Sequence, residues 1–190
     1  MIFDKMFNMK KAYLFLLVAI GAGLTACLPK EHLVSCTSME GTYVCFNGEG
    51  RDAVYARWNF DSVETFNAFN LQGSYPPVPG TTGPWTTVNV TFVSSTGNYA
   101  LETGLYTYEP WLENEGERQF TFLVRRFEGD AKNPTIKNFI YKPGGNAGLS
   151  ITNIDGSGKI SGLFSAQVVN EDDANETSEV RFFFTDVEPQ

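Results

Sequence analysis

This 190-residue sequence predicts an all-β fold: a single-domain antiparallel β-sandwich, or a barrel-like form of it, with one short helix, behind a cleaved N-terminal signal. Three observations carry the prediction. Short runs rich in aromatic and β-branched residues alternate with polar ones, the period of a half-buried strand. Gly, Pro, Asn and Asp punctuate these runs at short intervals, as in sandwiches and barrels. One stretch alone carries a helix-start pattern.

Val54-Tyr55-Ala56-Arg57-Trp58-Asn59-Phe60 places Val54, Ala56, Trp58 and Phe60 on one face. Asp61-Ser62-Val63-Glu64 reads as a capping box, with Asp61 as N-cap and Glu64 reaching back. Val63, Phe66 and Phe69 would then share one face of the short helix. Gly73 to Pro84 carries four prolines and three glycines and reads as a surface loop. Val88-Asn89-Val90-Thr91-Phe92 alternates again, and Gln119 to Val124 groups Phe120, Phe122 and Val124. Further strands are expected near Tyr99-Ala100-Leu101, Leu105 to Tyr108, Ile136 to Tyr141 and Leu149 to Ile154. Asp155-Gly156-Ser157-Gly158 supplies turn chemistry. Ile160 to Val168 alternates through Gly162, whose missing side chain permits a bulge or a close backbone approach. Asn170 to Ser178 reads as a long polar hairpin loop before the last strand, Val180 to Phe184.

The N-terminus has a different grammar. Met9-Lys10-Lys11 is positive, Ala12 to Ile20 is apolar, and Gly21-Ala22-Gly23 precedes Leu24-Thr25-Ala26-Cys27. This is the layout of an export signal. The apolar run is shorter than the ~20 residues a transmembrane helix needs. Residues Met1 to Asn8 add nothing to that layout, so Met9 is the expected translation start. Leu24-Thr25-Ala26-Cys27 resembles the bacterial lipobox. The resemblance implies cleavage before Cys27, a diacylglyceryl thioether on its sulfur, and a further acyl chain (palmitate) on the new N-terminus. Two or more chains make a stable anchor where one does not. An ordinary secretory signal with a chance cysteine is the alternative. The expected organisation is a lipoprotein signal peptide over 1–26, a lipidated tether over 27–34 and one all-β domain over 35–190.

The three cysteines fit this division. An odd count in an exported protein needs an explanation, and lipidation of Cys27 leaves Cys36 and Cys45. A two-residue turn at Glu40-Gly41 would place Cys36 directly opposite Cys45 in a hairpin. That position is a non-hydrogen-bonded pair, where the backbones approach closely enough for a disulfide. A Cys36–Cys45 disulfide is therefore expected.

The C-terminal third is the most distinctive part. It reads Leu149-Ser150-Ile151-Thr152-Asn153-Ile154-Asp155, then Ile160-Ser161-Gly162-Leu163-Phe164-Ser165, then Phe182-Phe183-Phe184-Thr185-Asp186-Val187. This is similar to Bacteroidetes lipoproteins of uncharacterised activity that end in I-T-x-I-D, I-S-G-x-F-S and F-x-D-V. Thr96-Gly97-Asn98-Tyr99-Ala100-Leu101 looks like their G-x-Y-x-L turn and strand. Phe46-Asn47-Gly48-Glu49 echoes their N-G-K turn, with glutamate in place of lysine. The resemblance implies an all-β envelope protein and no particular activity. Some of that bacterial group carry an acidic tag after the lipidated cysteine and display the protein at the surface. Leu28-Pro29-Lys30-Glu31-His32 holds only one acid, so the membrane face stays open.

Composition excludes some function classes. The net charge of −8 becomes more negative once Lys5, Lys10, Lys11 and Asp4 leave with the signal. Such a chain is repelled by phosphate backbones, which argues against nucleic acid as a partner. His32, the single histidine, lies in the tether, which argues against Ser-His-Asp or Cys-His chemistry and against a histidine metal site. No cofactor is expected.

Three weaker candidates remain. Glu171, Asp172, Asp173 and Glu176, with Glu179 nearby, form the densest acidic cluster, which would be either a calcium site or a solvated loop. Trp85 and Trp111 each follow a proline in a loop, where an indole either stacks on a sugar ring or caps a core. Glu109, Glu113, Glu115 and Glu117 surround Trp111, and paired carboxylates of this kind run glycoside hydrolysis at a defined separation. The sequence thus predicts a lipid-anchored protein of the bacterial cell envelope, at the outer membrane, with a non-enzymatic structural or binding role and an envelope protein or glycan as partner. Glycan binding, or a carboxylate glycosidase using Glu113 or Glu117, are the alternatives.

Overall fold

Alternation of apolar and polar residues puts a strand's large side chains on one face, and that face must find a partner face to bury it. In the computed structural model twelve strands among the described residues meet this demand within one mixed sheet. Residues 33–34, 36, 41–53, 55–63, 66–74, 84–94, 100–112, 117–130 and 132–190 are described. The strands are β1 (Leu33–Val34), β2 (Tyr43–Phe46), β3 (Glu49–Asp52), β4 (Tyr55–Val63), β5 (Phe66–Ser74) and β6 (Trp85–Val93). They continue as β7 (Gly104–Tyr108), β8 (Gln119–Asp130), β9 (Asn133–Tyr141), β10 (Ala147–Ile154), β11 (Ile160–Asn170) and β12 (Asp173–Val187).

The order across the sheet is β1-β3-β2-β12-β11-β10-β7-β8-β6-β5-β4, with β9 pairing both β11 and β8. Among the described residues the strand pairs are antiparallel except β7 with β8, where Thr107 and Tyr108 run parallel to Gln119 and Phe120, and the isolated bridge of Trp58 to Pro189 is also parallel. The sheet curls until β4 meets the segment after β12. The Trp58 amide donates to the Glu188 carbonyl at 3.4 Å, and the Gln190 amide donates to the Trp58 carbonyl at 2.9 Å. Trp58 Nε1 also donates to the Gly158 carbonyl at 3.1 Å. These bonds occupy part of the β4 edge, whose backbone groups would otherwise be open to other chains.

The enclosed core is aromatic. Phe92, Phe120, Phe139, Phe164, Phe182 and Phe184 are fully buried with Leu149, Ile151 and Ile160. Phe164 meets Phe122 edge-on with centroids 5.0 Å apart, and Phe92 meets Tyr106 at 5.3 Å. Gly162 does what its position in mid-strand suggests. A Cβ there would strike the Ser150 carbonyl and lie 2.6 Å from Phe184 Cζ, and the ladder shifts register between Ile160 and Gly162.

Several expectations need correction. Among the described residues there is no helix: Asp61-Ser62-Val63 ends β4, and Phe66 and Phe69 belong to β5, with Val63 paired to Phe66. A single amphipathic turn would bury one side of Phe69. The hairpin surrounds its ring with Trp58, Phe60 and Phe92, at centroid distances of 5.9, 5.3 and 5.5 Å. Gly73 and Ser74 are not loop but the end of β5, paired with Val88 and Thr87. Leu33 and Val34, expected in the tether, form β1 against Arg51 and Gly50. Ala100 and Leu101 lie outside any strand, which resumes at Gly104. The expected long loop over Asn170 to Ser178 shrinks to Glu171 and Asp172, because Asn170 pairs with Asp173 and the following residues join β12. The signal peptide, Cys27, His32 and Tyr99 lie outside the described residues.

Candidate functional site

The cysteine pair lies on the outside of the sheet. Cys36 and Cys45 are at disulfide distance, with Cα atoms 5.9 Å apart. The expected hairpin register is wrong, however. Cys45 has Gly50 of β3 on one side and Arg181 of β12 on the other, so no ladder position is left for Cys36. Cys36 instead packs over a small outer cluster of Tyr43, Cys45 and Phe183, partly buried beside Leu163. The Tyr43 and Phe183 rings stack at 4.5 Å. The Arg181 guanidinium donates to the Cys36 carbonyl at 3.4 Å.

At one end of the fold the inward side chains change character. On β8 the inward series Phe120, Phe122, Val124 continues as Arg126 and Glu128. On β9 Phe139 is preceded on its own face by Lys137. On β12 Phe182 and Val180 are preceded by Ser178, which pairs with buried Val168. Arg126, Glu128, Glu176 and Ser178, with the β2–β3 turn, line an open groove of about 210 Å³, and Lys137 braces two of the lining carboxylates. The turn is Asn47-Gly48, both with positive φ, and the Asn47 amide donates to the Glu179 carbonyl at 2.8 Å. That bond fixes the turn to β12.

A chain of charges runs through the groove wall. Arg126 Nε donates to Glu128 Oε1 at 3.2 Å. Lys137 Nζ bridges Glu128 Oε2 at 3.2 Å and Glu176 Oε1 at 2.9 Å. Buried Asn170 donates through Nδ2 to Glu176 Oε2 at 2.6 Å. The Arg126 guanidinium lies over the Phe46 ring, 4.5 Å from its centroid, and Phe46 meets Phe139 edge-on below it. The electrostatic consequences follow from these bonds. Hydrogen bonding to Glu176 and then Glu128 raises the Lys137 pKa above its ordinary value. Hydrogen bonds from Lys137 and then Asn170 hold Glu176 below the ordinary glutamate value.

The acidic candidates are dispersed by this arrangement. Glu176 is engaged by Lys137 and Asn170, Glu171 accepts from Asn138 at 3.2 Å, and Asp173 accepts from the Asn175 amide at 3.0 Å. No group of three or more His, Cys, Asp or Glu side chains converges among the described residues. Trp85 is not in a loop but opens β6, stacked on Phe127 with centroids 5.0 Å apart and packed against the core. Trp111 is 74 % exposed. Glu117 is exposed and Glu109 partly buried, while Glu113 and Glu115 lie outside the described residues.

Arg126, Glu128, Lys137 and Asn170 escaped the sequence reading, although one signal was present. The alternation through Phe120, Phe122 and Val124 carries on in phase to Arg126 and Glu128, so two charges fall on inward positions. No protein-family model matches the chain, and neither a curated protein nor a solved structure is similar to it.

Proposed function

We propose that this chain is a lipid-anchored protein of a bacterial cell envelope, held at the outer membrane by acyl chains on Cys27, with a β-body that serves as a non-enzymatic binding or structural module. The observation that carries the reading is the cysteine arithmetic. Cys36 and Cys45 satisfy each other, which leaves the sulfur of Leu24-Thr25-Ala26-Cys27 as the odd one. The first described strand starts at Leu33, six residues past that cysteine. A short tether of this kind keeps the folded body close to the lipid surface. The net charge of −8 gives no attraction to anionic headgroups, so the acyl chains supply the membrane affinity. The resemblance of the C-terminal third to Bacteroidetes lipoproteins points the same way.

The test is metabolic labelling with a palmitate analogue, followed by detergent phase partition. The wild-type chain takes up label and enters the detergent phase. The Cys27→Ser chain stays unlabelled and aqueous. An unlabelled wild-type chain that partitions like the variant ends this reading.

A second reading, glycan recognition, is favoured by Trp111, whose indole stands 74 % exposed beside Pro110. A glycan array read with wild type and Trp111→Ala tests it: a signal lost in the variant supports the indole as a platform, and no signal, or an unchanged one, removes it.

A further inference from the structure

From the polar groove between the β2–β3 turn, β8 and β12 we infer a binding site for one neutral sugar residue, gripped by Arg126 and Glu49 rather than by a tryptophan. The inference rests on the binding-module reading and is independent of the lipid anchor.

Charged side chains occupy inward positions of β8, β9 and β12. Arg126, Lys137, Glu128 and Glu176 have side-chain exposures of 16, 29, 36 and 33 %. Ion pairs at that depth contribute little net stability, because desolvation offsets most of the attraction. Val or Leu at these positions would extend the core instead. A wall of mutually fixed charges has a different use, which is to hold polar groups in place before a ligand arrives. Lys137 immobilises Glu128 and Glu176. Glu128 and the Phe46 ring together immobilise the Arg126 guanidinium.

Some polar groups of the groove are left over. Arg126 spends Nε on Glu128, and its two Nη groups bond no other described residue. Glu49 and Ser178 also line the groove, and their side chains make no hydrogen bond to another described residue. The site therefore offers a fork of N–H donors and a free carboxylate acceptor. A ligand that satisfies both must carry acceptors and donors close together. Adjacent hydroxyls do this: their oxygens accept from the guanidinium while their protons go to the carboxylate.

Charge narrows the ligand further. Arg126 and Lys137 balance Glu128 and Glu176, and among the described residues Glu49 has no ionic partner, in a chain of net charge −8. A phosphate or carboxylate ligand would meet that excess negative charge, and a simple cation would meet the guanidinium fork. A neutral polyol meets neither penalty. Ligand sites commonly occupy the mouths of β-barrels, and pockets for drug-sized molecules run to ~300–1,000 Å³. At about 210 Å³ this groove suits a single ring at the end of a glycan.

The experiment is saturation-transfer NMR on the full chain in detergent, with a panel of methyl glycosides of hexoses and N-acetylhexosamines, and with glycine and inorganic phosphate as charged comparators. At least one glycoside is expected to receive saturation. Its affinity should not change between ~50 and ~500 mM NaCl, since a neutral ligand feels no screening. Arg126→Lys keeps the charge but loses the fork, and exposed Glu49→Gln keeps the shape but loses the acceptor. Each should weaken binding about tenfold or more, the loss expected for hydrogen bonds to charged groups, with circular dichroism and melting unchanged. Trp111→Ala should leave this binding intact. No saturation of any glycoside, preference for glycine or phosphate, or binding that survives both variants overturns the inference. Loss of binding in Trp111→Ala alone also overturns it, and transfers the sugar to the second reading above.

Discussion

Gly73 of β5 and Phe182 of β12 face each other across the interior: a Cβ on Gly73 would lie no farther than 2.7 Å from three carbons of the Phe182 ring. The ring is fully buried and cannot swing into solvent. The contact brings two strands that are distant in the sheet order into direct apposition, so it reports on the curl itself. In an ordinary strand, alanine in place of glycine gains ~0.5–1 kcal/mol of backbone entropy. Here overpacking costs ~1–3 kcal/mol and wins. Gly73→Ala should lower the urea midpoint with an unchanged m-value. A midpoint equal to or above wild type would mean that the sheet does not close at this point.

Removing the cysteine pair should cost stability without dissolving the fold. Cys36 and Cys45 are 9 residues apart, and a loop of that size is worth ~2–3 kcal/mol in the chain-entropy account. β2 keeps both neighbours, β3 and β12, when the bond is gone. The Cys36→Ser, Cys45→Ser double variant should therefore melt lower but cooperatively, with the strand signal in circular dichroism retained. Loss of that signal at room temperature would show that the bond is a condition of folding.

The seam where β4 meets the C-terminal residues offers another test. Trp58 Nε1 is the donor to the Gly158 carbonyl, and Trp58 also packs against the core. Trp58→Phe keeps most of the apolar area and deletes the donor. The expected loss is ~1 kcal/mol, measured by chemical denaturation. A loss near the ~3–5 kcal/mol of a large aromatic truncation would mean that packing, not the hydrogen bond, governs the seam.

The charge chain predicts a pH profile. Glu176 is held below its ordinary 4.5, so its contribution is present above that value and is lost as pH falls through the lowered pKa. Lys137 is raised above its ordinary 10.5, so its contribution is complete below that value and is lost as pH rises through the raised one. Tyr106, raised to about 12 chiefly by burial, likewise stabilises below pH 10 and stops doing so as pH climbs toward 12. Stability should be flat in the middle range and fall at both ends. Lys137→Met removes the donor to Glu176 and should make the acid limb shallower, read as denaturation midpoint against pH. Identical acid limbs in wild type and variant would refute the coupling. Phenolate absorbance should show one tyrosine titrating near 12.

Strand identity was readable in the sequence wherever alternation ran in phase with burial. Val88, Val90 and Phe92 of β6 are such a case, as are Ile160, Phe164, Ala166 and Val168 of β11, because pleat geometry alone decides which side chains share a face. The Cys36–Cys45 pairing was also legible, since reading Leu24-Thr25-Ala26-Cys27 as a lipidation signal leaves only two cysteines to join. Partners were not legible. Asp61 to Glu64 satisfied a local capping pattern, yet β4 and β5 pair through Val63 and Phe66 and set the Phe69 ring among Trp58, Phe60 and Phe92, and tertiary packing outweighs the preference of one helical turn. Cys45 found its place between β3 and β12 because Arg181, 136 positions further along by residue number, took the edge that a local hairpin would have used. The groove depends on three distant segments arriving at one layer. No local pattern encodes that arrival, because side chains at Glu49, Arg126 and Glu176 become neighbours only when the sheet bends far enough to bring its strand ends together.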